Sequence, residues 1–242
     1  MIKHTKCVDR GLAWLAEFVT TDAAIIFGSS TLRRRRSATS PRRSTGSTNG
    51  RQPEKSKERN PMATELLFQH GTVLNRWARM PIAQGDDGIH QTIGAMAAMV
   101  LWASQTPQVR RVAAKLDRTS DFDSSLWMFL RHGMRFRADP PGSEMLQSPI
   151  MLLGQIKPGA KAVGDCDDRA MLGASILKAA GRYPVLVTCG LFAKGRFQHV
   201  YYGRMINPNG TLTRDNVIPS DPQEGVPLGR WTRGQRERIF LV

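Results

Sequence analysis

The chain has 242 residues, of which 40% are hydrophobic and 23% are charged, an ordinary composition for a soluble globular protein. Its three cysteines, Cys7, Cys166 and Cys189, are too few and too dispersed for a disulfide framework, so we expect free thiols in a reducing compartment, the cytoplasm. The sequence contains no CxxC pair, HExxH motif, nucleotide-binding loop or calcium loop, so we expect no metal and no cofactor.

The formal net charge of +15 is concentrated near the N-terminus. Residues 1–61 contain 13 basic against 5 acidic residues, whereas residues 62–242 contain 22 against 15. Because residues 30–61 lack aromatic and β-branched aliphatic residues, we predict a basic, largely disordered extension over residues 1–61. A solvated tail is the favoured interpretation. The alternative is weak nucleic-acid binding through four consecutive arginines, Arg33, Arg34, Arg35 and Arg36.

Sustained globular character begins at Met62, which suggests the hypothesis that residues 1–61 are an upstream extension of the reading frame and not native. The apolar stretch 11–28 is interrupted by Glu17 and Asp22. It therefore does not approach the roughly 20 apolar residues that a membrane helix needs. A secretory signal would also avoid these carboxylates, so we expect no membrane partner.

The N-terminal part of the predicted domain, residues 62–149, is expected to be helical. Apolar residues recur at spacings of three and four in three segments, 64–80, 89–116 and 122–136. Pro107 divides the second segment. Asp121 or Asp123 is available as a cap for the third helix. A proline- and glycine-rich connection at 138–149 then leads into the second part of the domain.

Residues 150–242 are predicted to form the core of the domain. After a short helix at 150–156, residues 166–181 are apolar nearly all round, which is typical of a helix buried inside a fold. Three strand-like segments follow, at 183–192, 197–206 and 216–221, with a tight turn at 207–210. This order predicts an α+β domain over residues 62–242, in which a buried helix packs against an antiparallel sheet.

Cys166 is the best candidate for a nucleophile. It follows a Gly-Asp loop at the first turn of the predicted buried helix, where unpaired backbone N–H groups and the helix dipole favour a thiolate. Its backbone N–H could also help to bind an oxyanion, with Gln147 or Gln155 as the second donor. Cys7 and Cys189 are interpreted as incidental or packed thiols.

A thiol nucleophile needs a base, and His199 is the best of the five histidines. It lies in a strand pattern 33 residues after Cys166, enough chain for a helix and a strand to return to the helix start. The other histidines lie in the tail or on predicted helices, where packing or exposure explains them: His4, His70, His90 and His132. A third group should orient the imidazole, and spacing alone leaves both Asp215 and Asp221 open.

Four segments carry a resemblance to a known family: RFRADPPGSEMLQSP (135–149), GDCDDRAMLGASILKAAGRYPV (164–185), FQHVYYGRM (197–205) and PSDPQEGVPLG (219–229). They resemble the papain-like transglutaminase-like superfamily, in particular its bacterial and phage-encoded members. That family has its nucleophile in a Gly-Asp-Cys-Asp-Asp motif, its histidine in an aromatic-rich strand and its aspartate in a following turn. The resemblance therefore implies a Cys166–His199–Asp221 triad and favours Asp221 over Asp215.

Three carboxylates, Asp165, Asp167 and Asp168, surround Cys166 in sequence. We expect Asp165 to cap the helix and Asp167 or Asp168 to complement its dipole. The alternative is that the three carboxylates and His199 bind a divalent metal. We do not favour a metal, because neighbouring side chains at a helix start are expected to point in different directions.

The resulting hypothesis is a cysteine hydrolase or acyltransferase that forms a thioester with a protein or peptide substrate. Water as acceptor makes it a peptidase or amidase, and a lysine-like amine makes it a transglutaminase; hydrolysis is preferred because nothing indicates an amine site. The alternative is a structural or assembly protein on the same fold, virion-associated if the chain is phage-encoded, in which the triad is dispensable.

Overall fold

The computed structural model describes residues 77–80, 86–139, 144–191, 197–234 and 236–242. These residues form the helices α1 (Asp86–Ala103), α2 (Pro107–Leu116), α3 (Phe122–Gly133), α4 (Pro149–Gln155) and α5 (Cys166–Ala179). Their strands are β1 (Trp77–Met80), β2 (Met134–Phe136), β3 (Glu144–Gln147), β4 (Ala162–Gly164), β5 (Pro184–Gly190), β6 (His199–Met205), β7 (Val217–Ser220) and β8 (Arg236–Leu241). Within these ranges, none of the helices is long and apolar enough to cross a membrane.

Helix α5 lies at the centre of the fold. It contacts the other four helices on one side and strands β5 and β6 on the other. Residues 167–177 are consequently all buried, which explains why this segment has almost no polar face. The helix ends at Ala179. Gly181 follows its cap with a positive φ of 70°, which suits a residue without a Cβ, and the Gly181 N–H donates to the carbonyl of Lys178.

The main sheet has four antiparallel strands in the order β7-β6-β5-β8. Strand β5 is central, and it is buried along its whole length because both faces of the sheet are covered. Leu186 faces the cluster around α5, whereas Val185 and Val187 pack with Trp231 on the opposite face. The register places Cys189 of β5 opposite His199, the first residue of β6.

Two small sheets lead the chain into α5. Strand β2 pairs with β4 in parallel, with Phe136 opposite Gly164, and β1 pairs with β3 antiparallel. Strand β4 ends at Gly164, two residues before Cys166. A Cβ at Gly164 would lie 2.4 Å from the Asp168 carboxylate, so only glycine leaves room for the first turn of α5 to fold back against this strand.

Helix α3 is joined to the main sheet by an ion pair. Arg204 of β6 donates from Nε to Asp123 Oδ1 at 2.9 Å and approaches Oδ2 with Nη2 at 2.7 Å. Both side chains are partly buried, and this bidentate geometry is the stronger form of an arginine–carboxylate contact. Asp121 is the residue that caps α3, since its side chain accepts from the Ser124 N–H.

The predicted α+β class is confirmed, as are the helix break at Pro107 and the helix that begins at Cys166. The helix predicted at 64–80 is wrong at its end, where Trp77–Met80 form a strand; residues 64–76 lie outside the described ranges. The helix predicted at 122–136 stops at Gly133 because the next three residues pair with β4.

Strand β8 was not predicted. Its three charged residues are followed by three apolar ones without alternation, and it becomes a strand by pairing with β5. The predicted extension 1–61 lies outside the described residues, so it remains a prediction, as do the boundaries of the domain at 62 and 150.

The contact between α5 and β6 gives a stability prediction at Gly173. A Cβ there would lie 2.6 Å from the ring of Tyr202, whereas a Cβ at Gly94 of α1 would meet nothing within 4 Å. We expect Gly173→Ala to lower the free energy of unfolding by about 1–3 kcal/mol through overpacking. The control Gly94→Ala should be neutral or stabilising by about 0.5–1 kcal/mol. Urea denaturation measures both, and equal effects would contradict the packing described.

Candidate active site

His199 and Asp221 form a buried hydrogen-bonded pair. His199 Nε2 lies 2.8 Å from Asp221 Oδ2, and the two side chains are 3% and 1% exposed. His199 opens β6, and Asp221 directly follows β7, so the pairing of these neighbouring strands brings the two residues together. A carboxylate that accepts from Nε2–H leaves Nδ1 as the nitrogen that can take a proton.

Asp221 is held by two further donors. The Thr232 hydroxyl donates to Oδ2 at 2.5 Å, and the Gln223 N–H donates to Oδ1 at 3.1 Å. Burial acts to raise the pKa of Asp221, but these bonds and the nearby His199 outweigh it and hold the pKa below its ordinary value. Asp221 is therefore an ionised group that orients the imidazole.

The turn that carries Asp221 is attached to helix α3. Trp127 Nε1 donates to the Asp221 carbonyl at 2.9 Å, and Arg131 Nη1 donates to the Gln223 carbonyl at 3.2 Å. These two donors lie four residues apart and so on one face of α3. The helical part of the chain thereby sets the position of a site whose other residues come from the C-terminal half.

Gln223 lies at the second nitrogen of His199. Its Nε2 is 3.4 Å from His199 Nδ1, a long contact at the side of the ring opposite Asp221. Because the neutral ring that donates to Asp221 has its lone pair on Nδ1, Gln223 can donate to that nitrogen. The same position is where a thiol must approach if it is to give its proton to the ring.

Cys166 is the first residue of α5 and is partly exposed. Its backbone N–H is among those at a helix start that the helix itself does not use. Arg169 lies one turn further along the helix. Burial lowers the pKa of this arginine, and the nearby Asp221 carboxylate partly offsets that effect. Cys166 and Asp221 therefore lie near the same guanidinium.

The three aspartates beside Cys166 form a compact cluster. One oxygen from each of Asp165, Asp167 and Asp168 lies within 4.8 Å of the others. The expectation that these side chains point in different directions is therefore wrong. Asp168 accepts from Gln147 N and Gln147 Nε2, both at 2.7 Å, and Asp167 accepts from the Asp168 N–H at 2.8 Å.

The capping prediction is corrected by these bonds. Asp165 occupies the N-cap position with an extended backbone, but its side chain makes no capping hydrogen bond. Burial and the neighbouring Asp165 raise the pKa of Asp168 to about 8, so Asp168 is largely protonated at neutral pH and does not complement the helix dipole as a charge. The alternative of a metal site with His199 does not match these contacts. Both Asp168 oxygens accept hydrogen bonds from Gln147, and His199 pairs with Asp221 and not with the three aspartates. Three carboxylates could ligate a divalent cation chemically, and the buried Asp167 Oδ2 has no hydrogen-bond partner among the described residues, so these hydrogen bonds account for only part of the cluster.

Gln147 and Gln155 support the loop before Cys166. Gln147 Nε2 donates to the Val163 carbonyl and to Asp168, which uses both of its hydrogens. Gln155 donates to Gln147 Oε1 and accepts from the Val163 N–H, each at 3.2 Å. The prediction of Gln147 as oxyanion donor is therefore corrected to a structural role, and Gln155 belongs to the same network.

The remaining candidates do not take part in the His199–Asp221 pair. Asp215 is exposed in a 3-10 turn before β7, so the structure distinguishes it from the buried Asp221. Cys189 is fully buried, and burial raises the pKa of its thiol to about 12. The arginine run Arg33, Arg34, Arg35 and Arg36 lies outside the described residues.

Sequence reasoning missed Thr232, Gln223 and Trp127. Thr232 and Gln223 lie in irregular chain, where no periodic pattern marks them, and Trp127 lies on a helix, where a large apolar side chain is typical of core packing. The only available signal was the position of Gln223 two residues after Asp221, a spacing at which Asp side chains often accept from the backbone.

No family model matches the chain, and no curated protein matches it. A crystal structure of a protein from Cytophaga hutchinsonii, proposed to be a cysteine protease, is similar with 15% sequence identity and a TM-score of 0.38. The similarity covers 61% of this chain and 51% of that one, so the chain spans about half the length of that protein. A TM-score this low does not establish a shared fold, and the functional proposal depends on the hydrogen bonds described above.

The raised pKa of Asp168 gives a testable pH dependence. Between its ordinary value of 3.8 and about 8, the folded protein holds a proton that the unfolded chain releases. The free energy of unfolding therefore falls as pH rises through this range. In Asp168→Asn this contribution is absent, so we expect the stability of the variant relative to wild type to increase from about pH 5 to about pH 8.

Urea denaturation across this range measures the effect. Asp87→Asn, at an exposed position of α1, is the control and should follow the wild-type profile. If Asp168→Asn also follows the wild-type profile, Asp168 does not hold a proton at neutral pH.

Proposed function

We propose that the chain is a transglutaminase-like cysteine hydrolase or acyltransferase, which acts on amide bonds of a peptide or protein through a thioester. One observation carries the proposal, the buried hydrogen bond between His199 and Asp221. It orients an imidazole on β6, the strand that packs against the helix beginning at Cys166. An oriented base near a thiol at a helix N-terminus is the arrangement that activates a cysteine nucleophile.

In the first half of the proposed reaction, His199 Nδ1 takes the proton of the Cys166 thiol while Asp221 stabilises the resulting imidazolium. The thiolate attacks the amide carbonyl carbon and forms a carbon–sulfur bond. The carbon–nitrogen bond then breaks, and the imidazolium returns its proton to the leaving amine. The product of this half is a thioester on Cys166 and a free amine.

In the second half, His199 removes a proton from water, which attacks the thioester carbon. The carbon–sulfur bond breaks, the acid product leaves, and the thiolate regains its proton from the imidazolium. An amine in place of water gives transamidation by the same steps. We favour water, because it needs no binding site of its own.

The oxyanion formed in each half needs two donors. The backbone N–H of Cys166 is the first, since it lies at the start of α5. The Gln223 carboxamide replaces the upstream glutamines as the second. Its contact with His199 Nδ1 puts it on the side of the imidazole that the thiol and the carbonyl must approach.

The thiol–imidazole pair predicts selective alkylation of Cys166. We expect iodoacetamide to label Cys166 near neutral pH much faster than Cys189, which is buried with a raised pKa of about 12. His199→Ala should slow labelling of Cys166 by about tenfold or more, because the thiolate loses its partner. The control His90→Ala removes an exposed imidazole of α1 and should leave the rate unchanged. Mass spectrometry of peptides resolves each cysteine.

The competing function is a structural or assembly role on the same fold, in which the triad is not used. This function would be favoured if Cys166 is no more reactive than expected for an ordinary thiol of its exposure and His199→Ala makes no difference. The pair would then be a buried structural contact.

If Gln223 is an oxyanion donor, its removal should slow one reaction of the Cys166 thiol and leave another nearly unchanged. Alkylation by iodoacetamide forms no oxyanion, whereas acylation by p-nitrophenyl acetate does. We expect Gln223→Ala to slow acylation by roughly 10²–10³-fold while alkylation changes little. Release of nitrophenol and labelling by mass spectrometry are compared on the same samples. Equal slowing of both reactions would show that Gln223 acts on the imidazole and not on the oxyanion.

A further inference from the structure

A large cleft lies next to the candidate active site. Its volume is about 1120 Å³, and its walls come from the end of α3, strand β2, the loop before β4 and the turn after Asp221. Gln223, which contacts His199, and Arg169, one helical turn after Cys166, both line this wall, so the cleft lies beside the candidate site. Any extended substrate whose amide reaches Cys166 has this space available for its adjoining residues.

The cleft is strongly basic. The described residues that line it include five basic side chains, Arg131, His132, Arg135, Lys161 and Arg169. One carboxylate, Glu224, belongs to the same wall. Ion pairs among the described residues bring Arg182, Arg204 and Arg214 to carboxylates, but none of them involves the cations of the cleft. The positive charge of the cleft is therefore not neutralised by these contacts.

One of the basic side chains, Arg169, is buried among the residues that line the cleft. Arg169 is only 7% exposed, and its Nε has no hydrogen-bond partner among the described residues, although Nη2 donates to the Met134 carbonyl at 3.1 Å. Burial, together with the charges of Lys161 and Arg131, lowers the pKa of His132. A negatively charged ligand would supply an acceptor for Arg169 and reduce the repulsion among these side chains.

We propose that this cleft selects peptides with carboxylate side chains next to the amide that Cys166 attacks. This inference rests on the proposed function, since it names the substrate class of the same site. A peptide is favoured over a nucleic acid because the cleft is concave, borders an acyl-transfer site, and has an apolar wall that includes the half-exposed Phe136. Carboxylates on the peptide pair with exposed Arg135 and Lys161, and Arg169 lies deeper towards the site.

Binding tests the proposal without requiring turnover. Full-length protein carrying Cys166→Ala is titrated with a capped peptide that contains two glutamates among alanines, and with the same peptide containing glutamines instead. Two exposed charge pairs predict about five- to tenfold tighter binding of the acidic peptide at low ionic strength. The preference should decrease as salt is added, because exposed pairs are screened.

Charge-removal variants locate the preference. Arg135→Gln with Lys161→Gln removes two exposed cations from the cleft and should abolish the preference. The matched control, Arg111→Gln with Arg118→Gln, removes the same charge from exposed positions on and just after α2 and should retain it. All four positions are exposed, so similar thermal unfolding of the two double variants is expected.

Several results would overturn the proposal: equal binding of both peptides, no binding of either, or the same loss of preference in the control as in the cleft variant. Displacement of the acidic peptide by a tighter-binding single-stranded oligonucleotide would assign the cleft to nucleic acid instead. Because the readout is binding, its failure is distinct from failure of the alkylation test, which examines Cys166 and His199 alone.

Discussion

Helix α5 has helices on one side and the antiparallel sheet on the other, and the rest of the described structure depends on its burial between them. A helix that is buried from its first turn needs small residues where neighbours come close, as at Gly173 against Tyr202. It also needs a defined entry, which β4 and Gly164 provide. Cys166 is partly exposed because it lies at the end of this buried element, where the helix reaches the surface.

The buried entry to α5 brings three carboxylates together. Their mutual repulsion is reduced by hydrogen bonds from Gln147 and by the proton that the raised pKa of Asp168 retains at neutral pH. Negative charge beside a thiol raises the pKa of the thiol, so a protonated Asp168 also reduces the opposition to a Cys166 thiolate. The acidic motif and the nucleophile are compatible for this reason.

The turn after β7 connects the two halves of the described structure. Asp221 pairs with His199 through its side chain and with Trp127 of α3 through its carbonyl, and Gln223 is likewise held by Arg131. The donors from α3 carry no chemistry of their own. They position a turn that has no regular secondary structure and that lines the basic cleft.

The sequence by itself determined the α+β class and the buried helix at Cys166, and it predicted Cys166 and His199 as candidate site residues. The periodicity of apolar residues predicts helices and central strands, because their spacing reflects whether one face or all faces of an element are buried. The resemblance favoured Asp221 over Asp215; in the structure Asp221 is buried beside His199, whereas Asp215 is exposed.

Only the tertiary structure decided which polar groups meet. Gln147 and Gln155 were expected at the oxyanion and instead support the loop, whereas Gln223, Thr232 and Trp127 reach the site from segments whose patterns carry no such information. Strands β2 and β8 likewise form because they pair with β4 and β5, since short segments gain strand structure from pairing. A side chain's partner depends on distances between segments far apart in the chain, and local spacing does not encode those distances.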